Sequence, residues 1–205
     1  MGYPTIAKGK ADEMKRQKTP AATSSIRVIG GQWRGRKLPV VDLPGLRPTA
    51  DRVRETLFNW LQLDIAGRSC LDAFAGTGAL GIEALSRGAS HLVALEMAAP
   101  ACRQLESNFK LLQAGAELHC GNSLDWLDRP ATEQFDLVFL DPPFDADLWQ
   151  PSLELLTQRD WLRPDCLIYL ERPASLPQPP LKGFALRCEK KISRVGCYLF
   201  ERQPA

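Results

Sequence analysis

Short apolar runs recur along most of this chain and alternate with segments that have helical periodicity. Five of these runs lie near residues 69–74, 91–96, 116–120, 135–141 and 166–171. Strands that are apolar on both faces and separated by helices are typical of a parallel sheet covered on both sides. The pattern therefore predicts an α/β fold for most of the chain.

The last part of the chain departs from this alternation. Two strand-like runs, FALRCEKKI and RVGCYLFER, follow each other with only a short turn around Ser193. Two adjacent strands joined by a short turn pair in the antiparallel sense. We therefore predict a mostly parallel seven-stranded sheet with a C-terminal antiparallel hairpin.

Positive charge is concentrated in the amino-terminal part. Residues 1–60 hold 12 Lys or Arg against 5 Asp or Glu, which is +7, whereas the whole chain carries +2 and the remainder therefore −5. Such asymmetry favours a polyanionic partner for the amino-terminal part. A solvated basic tail is the alternative.

Composition divides the chain into three segments. Residues 1–24 lack periodicity and are rich in Lys, Pro, Ser and Ala, which is typical of a disordered basic leader. Residues 25–62 contain IRVIGGQWRGRKLPVV, a predicted small basic hairpin, and RPTADRVRETLFNWL, a predicted amphipathic helix capped by Thr49. Residues 63–205 form the predicted main domain.

The six cysteines are spread along the chain without a Cys-x-x-Cys pair or a cluster of Cys and His. This spacing favours reduced thiols over a disulfide framework and predicts no metal site. No apolar run approaches the length of a membrane span. We therefore expect a cytoplasmic protein that has no membrane contact.

A glycine-rich stretch, LDAFAGTGALGIEAL, follows the first apolar run. Gly76, Gly78 and Gly81 satisfy G-x-G-x-x-G. Glu96 lies 20 positions beyond the first of them, at the end of the next run, as in dinucleotide-binding proteins. Asp72 favours a different ligand, because a buried carboxylate repels a pyrophosphate and attracts a cationic sulfonium.

The pattern D-x-F-x-G-x-G in this stretch resembles the first motif of S-adenosylmethionine-dependent methyltransferases. The resemblance implies a cofactor site made by Asp72, Phe74, Gly76, Thr77, Gly78 and Glu96. Asn122 and Ser123, which follow the third run, could hydrogen-bond the adenine amino group. Methyltransferases of this type often place Asp at the first of these two positions, so capping of a following helix is the alternative.

The fourth run ends in LDPPF, on the sheet edge where the glycine loop is expected. The Asp141 carboxylate and the Pro142 carbonyl can accept both N–H groups of an exocyclic amine, and the prolines keep this loop stiff. Phe144 offers a stacking face for a flipped base, worth about 1–3 kcal/mol. The sequence is similar to the (N/D)-P-P-(F/Y) of amino-methyltransferases acting on adenine or guanine. The predicted catalytic residues are therefore Asp141, Pro142, Pro143 and Phe144.

Longer segments resemble the RsmD group of bacterial small-subunit ribosomal RNA guanine-2-amino methyltransferases. The likeness runs from about Ile26 to Glu201 and is carried by IRVIGGQWRGRKL, LRPTADRVRETLFNWL, LDAFAGTGALGIEALSRGA and DPPF. It implies a Rossmann-like class I methyltransferase fold that uses S-adenosylmethionine and releases S-adenosylhomocysteine. It also implies methylation of the 2-amino group of one guanine in 16S rRNA, in the 30S subunit or an assembly intermediate.

Residues 25–62, the basic amino-terminal extension, supply the candidate RNA contacts. Its arginines and lysine would meet phosphates, and its tryptophan would stack on a base. The residues assigned to this role are Arg27, Trp33, Arg34, Arg36, Lys37, Arg47, Thr49 and Arg52. Arg54 is expected to continue the same surface. A solvated face for the charges and packing for Trp33 are the alternatives, and whether Thr49 and Arg52 touch RNA or cofactor is open.

Other functions stay open on the residues alone. DPPF does not distinguish amino acceptors, so DNA adenine, another RNA or a protein glutamine are alternatives. The glycine loop would also suit an NAD-dependent oxidoreductase, although Asp72 and DPPF count against it. A noncatalytic RNA-binding module is disfavoured because Asp72, Gly76, Gly78 and Asp141 are intact. We expect a monomer.

Overall fold

The computed structural model describes residues 24–46 and 48–204. The predicted disordered leader, except for its last residue, and the proposed RNA contact Arg47 lie outside the described residues.

The described chain begins with a small antiparallel hairpin and then alternates strands with helices. The hairpin strands are β1 (Ser25–Arg27) and β2 (Lys37–Pro39). The strands of the main sheet are β3 (Ser69–Asp72), β4 (His91–Glu96), β5 (Ala116–Cys120), β6 (Phe135–Leu140), β7 (Leu162–Pro173), β8 (Phe184–Ile192) and β9 (Val195–Arg202). The α-helices are α1 (Asp51–Trp60), α2 (Ala79–Ser86), α3 (Ala99–Leu112), α4 (Ser123–Leu127) and α5 (Trp149–Gln158).

The seven strands of the main sheet follow the order β5-β4-β3-β6-β7-β9-β8. The pairs from β5 to β7 are parallel, whereas β9 is antiparallel to both of its neighbours. The C-terminal hairpin consists of β8 and β9. Its second strand, β9, lies directly beside β7, and its first strand, β8, forms the edge of the sheet. This topology confirms the predicted mostly parallel Rossmann-like sheet with a C-terminal antiparallel hairpin.

Each central strand is apolar on both faces because both faces are covered. In β6, Leu137 and Phe139 pack into one core, with residues of the amino-terminal hairpin (β1 and β2), α1, α2 and α3. Val138 and Leu140 point to the other face and pack with residues of α4 and α5. The period of two residues along a strand explains why β6 reads as an unbroken apolar run.

A buried ion network joins the amino-terminal extension to α2. Glu83 in α2 accepts the backbone N–H groups of Ile29 and Gly30, both at 2.8 Å. The Arg54 guanidinium lies 3.5 Å from the Glu83 carboxylate and 2.6 Å from that of Asp51. Since Arg54 is 1% exposed, the prediction that it continues a basic surface is wrong. The charge of Arg54 pairs with the carboxylates of Asp51 and Glu83 inside the protein.

The tip of the amino-terminal hairpin, residues 30–36, lies at the C-terminal end of α2. The N–H of Gln32 donates to the carbonyl of Ser86 at 2.7 Å. Gly31, with a φ of +74°, lies so close that a Cβ would be 1.7 Å from the Ser86 oxygen. Because α2 starts near the carboxyl end of β3 and ends at Ser86, the tip lies toward the edge of the sheet that is formed by the amino ends of the parallel strands.

The start of α1 differs from the prediction. Thr49 is not the helix cap, because Ala50 occupies that position and makes no side-chain capping bond. The hydroxyl of Thr49 instead donates to the carboxylate of Asp141, which follows β6.

Among the described residues, no helix is long and apolar enough to cross a membrane.

Candidate active site

The candidate site lies at the carboxyl edge of the sheet, where the connections reverse direction. From β3 the chain moves outward to β4 and β5, and it returns to lay β6 on the other side of β3. Open α/β sheets bind ligands at such a switch point, beyond the carboxyl ends of the strands. The glycine loop and the DPPF loop follow β3 and β6 respectively, so both lie at this switch point.

The glycine loop has the backbone that the sequence predicts. Gly76 and Gly78 have φ values of +54° and +78°, in the left-handed region that favours glycine. A Cβ on Gly78 would lie 2.5 Å from Leu105, so the loop also packs tightly on α3. Phe74 is half-buried and Thr77 buried within the same turn.

Glu96 binds the glycine loop directly. Its carboxylate accepts the N–H of Gly76 at 2.8 Å and that of Ala98 at 2.6 Å. This contact fixes the position of the acid beside the glycine loop, and its expected bond to a ribose hydroxyl stays a prediction. Met97, which was not predicted, is the next residue along the chain; it is 72% exposed and offers an apolar surface at this edge.

Asp72 is buried at the end of β3. Its carboxylate accepts the N–H of Gly81 at 3.1 Å. Burial raises the pKa of Asp72 to about 7, the bond from Gly81 opposes this shift, and the charges of Asp141 and Glu96 add to it. The loop therefore holds an acid that gains from a cation nearby.

The two residues after β5 have structural partners. Asn122 is the N-cap of α4, and its side-chain oxygen accepts the N–H of Leu124 at 2.8 Å. The buried hydroxyl of Ser123 donates to the carbonyl of Ala73 at 2.6 Å. The capping alternative therefore describes Asn122, and Ser123 ties α4 to the loop after β3.

The DPPF loop starts at the end of β6. Pro142 is buried, whereas Pro143 is exposed and Phe144 is 45% exposed. The half-buried carboxylate of Asp141 accepts a hydrogen bond from the hydroxyl of Thr49 at 3.3 Å. Burial raises the pKa of Asp141 to about 6, and the Thr49 bond lowers it. The exposed ring of Phe144 lies three positions after this acid, and its predicted stacking on a flipped base stays a prediction.

A fourth acid, Glu171, lies in the next strand and was not predicted. It is buried in β7, and because Leu140 and Leu170 are register partners, Asp141 and Glu171 follow them at neighbouring strand positions. The hydroxyl of Tyr169 donates to Glu171 at 2.9 Å. Burial raises the pKa of Glu171, and the charge of Asp141 adds to this effect.

A sequence signal for Glu171 exists. Four of the parallel strands carry an acid at or just beyond the end of their apolar run. These acids are Asp72, Glu96, Asp141 and Glu171. Within the described residues no Lys, Arg or His forms an ion pair with any of them, and no group of acids, His and Cys is placed to hold a metal ion.

The candidate RNA contacts do not all approach this site. Thr49 does, through Asp141, and Arg52 is exposed close to it in α1. Arg27 is exposed and lies 3.5 Å from Asp51. Lys37 is exposed and is the register partner of Arg27 in the amino-terminal hairpin. The tip of this hairpin, toward the opposite edge, carries Trp33, which is half-buried against the core, and the exposed Arg34 and Arg36.

This fold and this edge define a Rossmann-like methyltransferase. The family model described as "Conserved hypothetical protein 95" matches residues 26–201. The chain is 44% identical over 192 residues to "Ribosomal RNA small subunit methyltransferase D" of Haemophilus influenzae, covering 92% of this chain and 100% of that protein. The Escherichia coli K12 protein of the same name is 46% identical over 186 residues, covering 89% and 93%.

A solved structure agrees with these relatives. The Escherichia coli protein yhhF has a TM-score of 0.81 and 44% sequence identity, and the match covers 89% of this chain and 100% of that one. The chain belongs to the RsmD methyltransferase family.

Proposed function

We propose that this protein methylates the exocyclic 2-amino group of a guanine in 16S rRNA, with S-adenosylmethionine as methyl donor. The observation that carries the proposal is the set of four carboxyls at one sheet edge without a cationic partner among the described residues. Uncompensated buried acids are costly, and a ligand that carries a sulfonium and an ammonium group offsets that cost. The pyrophosphate of NAD would add to it.

The residues around the glycine loop fit such a donor. Asp72, Gly76 and Gly78 would line its amino-acid part, and Glu96 is the candidate partner of its ribose hydroxyls. Phe74, Thr77 and Met97 are the nearest further candidates. When bound, S-adenosylmethionine supplies a methyl group on a sulfonium, whose sulfur keeps the bonding electron pair when the methyl group leaves.

The DPPF loop would hold the acceptor. The Asp141 carboxylate and the Pro142 carbonyl accept the two N–H groups of the amine, which points its lone pair at the incoming carbon. As nitrogen forms its new bond to carbon, it loses one proton, which ionised Asp141 would receive. Phe144 would stack on the guanine.

The names of the relatives and the charge of the extension support the proposed substrate. Both curated relatives are named for the small-subunit ribosomal RNA, and the exposed arginines of the extension suit phosphates. We propose that the protein acts as a monomer in the cytoplasm, on the small subunit or an assembly intermediate. Arg27 and Arg52 would contact RNA near the site, and the hairpin tip would contact it farther away.

Transfer of tritiated methyl groups tests the proposal. Free 16S rRNA, 30S particles, particles with a partial set of proteins, and double-stranded DNA are each incubated with the enzyme and labelled donor, and the products are digested to nucleosides. We expect label in N2-methylguanosine from small-subunit RNA. Label only in DNA adenine, or in no nucleic acid, would contradict the proposal. Calorimetry should detect S-adenosylhomocysteine binding and no NAD binding.

A further inference from the structure

We infer that Thr49 is a positioning residue for Asp141, so that the basic amino-terminal extension supplies one part of the catalytic centre. The inference rests on the proposed role of Asp141 as the acceptor of the substrate amine. It replaces RNA contact as the role of the Thr49 hydroxyl.

The hydroxyl of Thr49 has a defined partner far away in sequence. Its Oγ1 lies 3.3 Å from Oδ2 of Asp141, which is 92 positions further along the chain. A helix cap would instead turn this hydroxyl to the first turn of α1, but Ala50 occupies the cap position. The side chain is thereby released to face the sheet edge.

The backbone of Thr49 is held by the buried ion network. The Nε of Arg54 donates to the Thr49 carbonyl at 3.3 Å, and its Nη1 donates to the Arg27 carbonyl at 3.0 Å. The same guanidinium pairs with Asp51 and Glu83. Thr49 is therefore anchored to β1, α1 and α2 at once, so its hydroxyl points at Asp141 from a rigid support.

The same segment also covers the glycine loop. The Cδ1 atom of Leu46 lies 3.2 Å from the place where a Cβ on Gly76 would be. Residues 46 and 49 therefore contact the two loops that are proposed to hold donor and acceptor. The extension is part of the candidate site, in addition to any contact with RNA.

The hydroxyl favours the reactive form of Asp141. It occupies one position on Oδ2, which leaves Oδ1 for the substrate amine, and a hydrogen bond to the ionised form stabilises that form. The surroundings act in the opposite direction. The titratable groups that face Asp141 from the neighbouring strands are Asp72 in β3, Tyr169 and Glu171 in β7, and Cys197 in β9.

Two substitutions at this position separate positioning from other roles. Thr49→Val keeps the shape and removes the hydroxyl, whereas Thr49→Ser keeps the hydroxyl. We expect Thr49→Val to lower kcat by about tenfold, since the lost bond is to a charged group. The KM for RNA and the affinity for S-adenosylhomocysteine should change little. The acid limb of the kcat profile should move to higher pH, because the bond that lowers the pKa of Asp141 is lost. Thr49→Ser should restore both.

A matched control is Thr157→Val in α5. The hydroxyl of Thr157 donates to the carbonyl of Leu153 in the same helix at 2.9 Å, so this change should leave kcat and the acid limb in place. A raised KM for RNA in Thr49→Val with an unmoved acid limb would overturn the inference and return Thr49 to the RNA face. Failure of Thr49→Ser to restore kcat would also overturn it.

A titration without substrate separates this inference from the proposed function. Carboxyl carbons of Asp are labelled with ¹³C, and the signal of Asp141 is identified by its absence in Asp141→Asn. The Asp141 signal should titrate at higher pH in Thr49→Val than in the unchanged protein. An unchanged titration would overturn the inference even if methyl transfer to RNA is observed. A shifted titration would support the contact even if no RNA is methylated.

Discussion

Asp72 is the last residue of β3 and Asp141 directly follows β6, the adjacent parallel strand, on the other side of the point where the sheet connections reverse. Burial is the main cause that raises the pKa of Asp72 to about 7, and the charge of Asp141 is a further one. The two acids therefore share one electrostatic environment. A cation bound between them would stabilise both ionised forms, which links donor binding to proton release.

Donor and product should differ in their pH dependence. Asp72 and Asp141 have pKa values of about 7 and about 6, so both lose their negative charge as the pH falls from 8 to 5. S-adenosylmethionine carries the sulfonium charge and S-adenosylhomocysteine does not. Donor affinity should therefore fall by about tenfold more than product affinity over this range.

Calorimetry at pH 6.5 measures the linked proton. Donor binding should release protons, so its observed enthalpy should differ between phosphate and Tris, which have different ionisation enthalpies. Equal enthalpies in the two buffers, or equal loss of affinity for both ligands, would show that the acids do not respond to the sulfonium.

Asp72→Asn should stabilise the free protein while it weakens donor binding. The folded pKa of about 7 lies above the ordinary value of 3.8, so ionisation destabilises the fold as the pH rises through this interval. At pH 8 the substitution should increase the free energy of unfolding by about 2 kcal/mol, and at pH 4 by much less. The amide oxygen can still accept the Gly81 N–H.

Urea unfolding at the two pH values measures this difference, with the exposed Asp42→Asn as control. The same stabilisation at both pH values would mean that the buried charge of Asp72 is not its cause. Unchanged affinity for S-adenosylmethionine in Asp72→Asn would remove Asp72 from the donor site.

Asp141→Ala should separate transfer from donor binding. The proposed partner of this carboxylate is the acceptor amine, so kcat should fall by about a hundredfold or more. The affinity for S-adenosylhomocysteine should stay within about threefold, because no hydrogen bond to the neutral product is removed. Single-turnover transfer and calorimetry provide the two measurements. A parallel loss of product affinity would assign Asp141 to the donor site.

Arg34→Ala with Arg36→Ala should weaken RNA binding without affecting the chemistry of the bound complex. Two phosphate contacts fewer should reduce the slope of log affinity against log salt by about 2. Arg129→Ala with Arg159→Ala is a matched pair, because both are exposed near α4 and α5, on the other face of the sheet. Filter binding to 16S rRNA at several salt concentrations gives the slopes. Equal slopes for the two double variants would exclude the hairpin tip from the RNA surface.

The sheet and the two loops of the site could be predicted because their signals are local. The run HLVALE coincides with β4, since a strand that is buried on both faces has few polar residues. The run AELHC coincides with the partly exposed edge strand β5. Gly76 and Gly78 were likewise identifiable, because their backbone conformation is costly for other residues. The position of the DPPF loop at the end of β6 was also predictable, whereas the role of Asp141 stays a prediction from the chemistry of Pro142 and Phe144.

The remaining features depend on contacts between distant segments. Thr49 has the residue type of a helix cap, and nothing near it in sequence indicates that its hydroxyl lies against Asp141. Arg54 looks like its exposed neighbour Arg52 until Glu83 is placed beneath it. Glu171 ends its apolar run as the other three acids do, and only the register of β7 against β6 brings it beside Asp141.

The position of β9 constrains how this protein can be made. β9 lies between β7 and β8. β7 therefore has a partner only on its β6 side, and β8 has no partner in the sheet, until Val195–Arg202 has emerged from the translating ribosome. The nascent chain therefore exposes an unpaired edge of β7, a segment rich in Leu, Ile and Tyr, during the last stage of synthesis. Loss of the final strand would leave a chain whose glycine loop and DPPF loop are complete but whose sheet is open at an aggregation-prone edge.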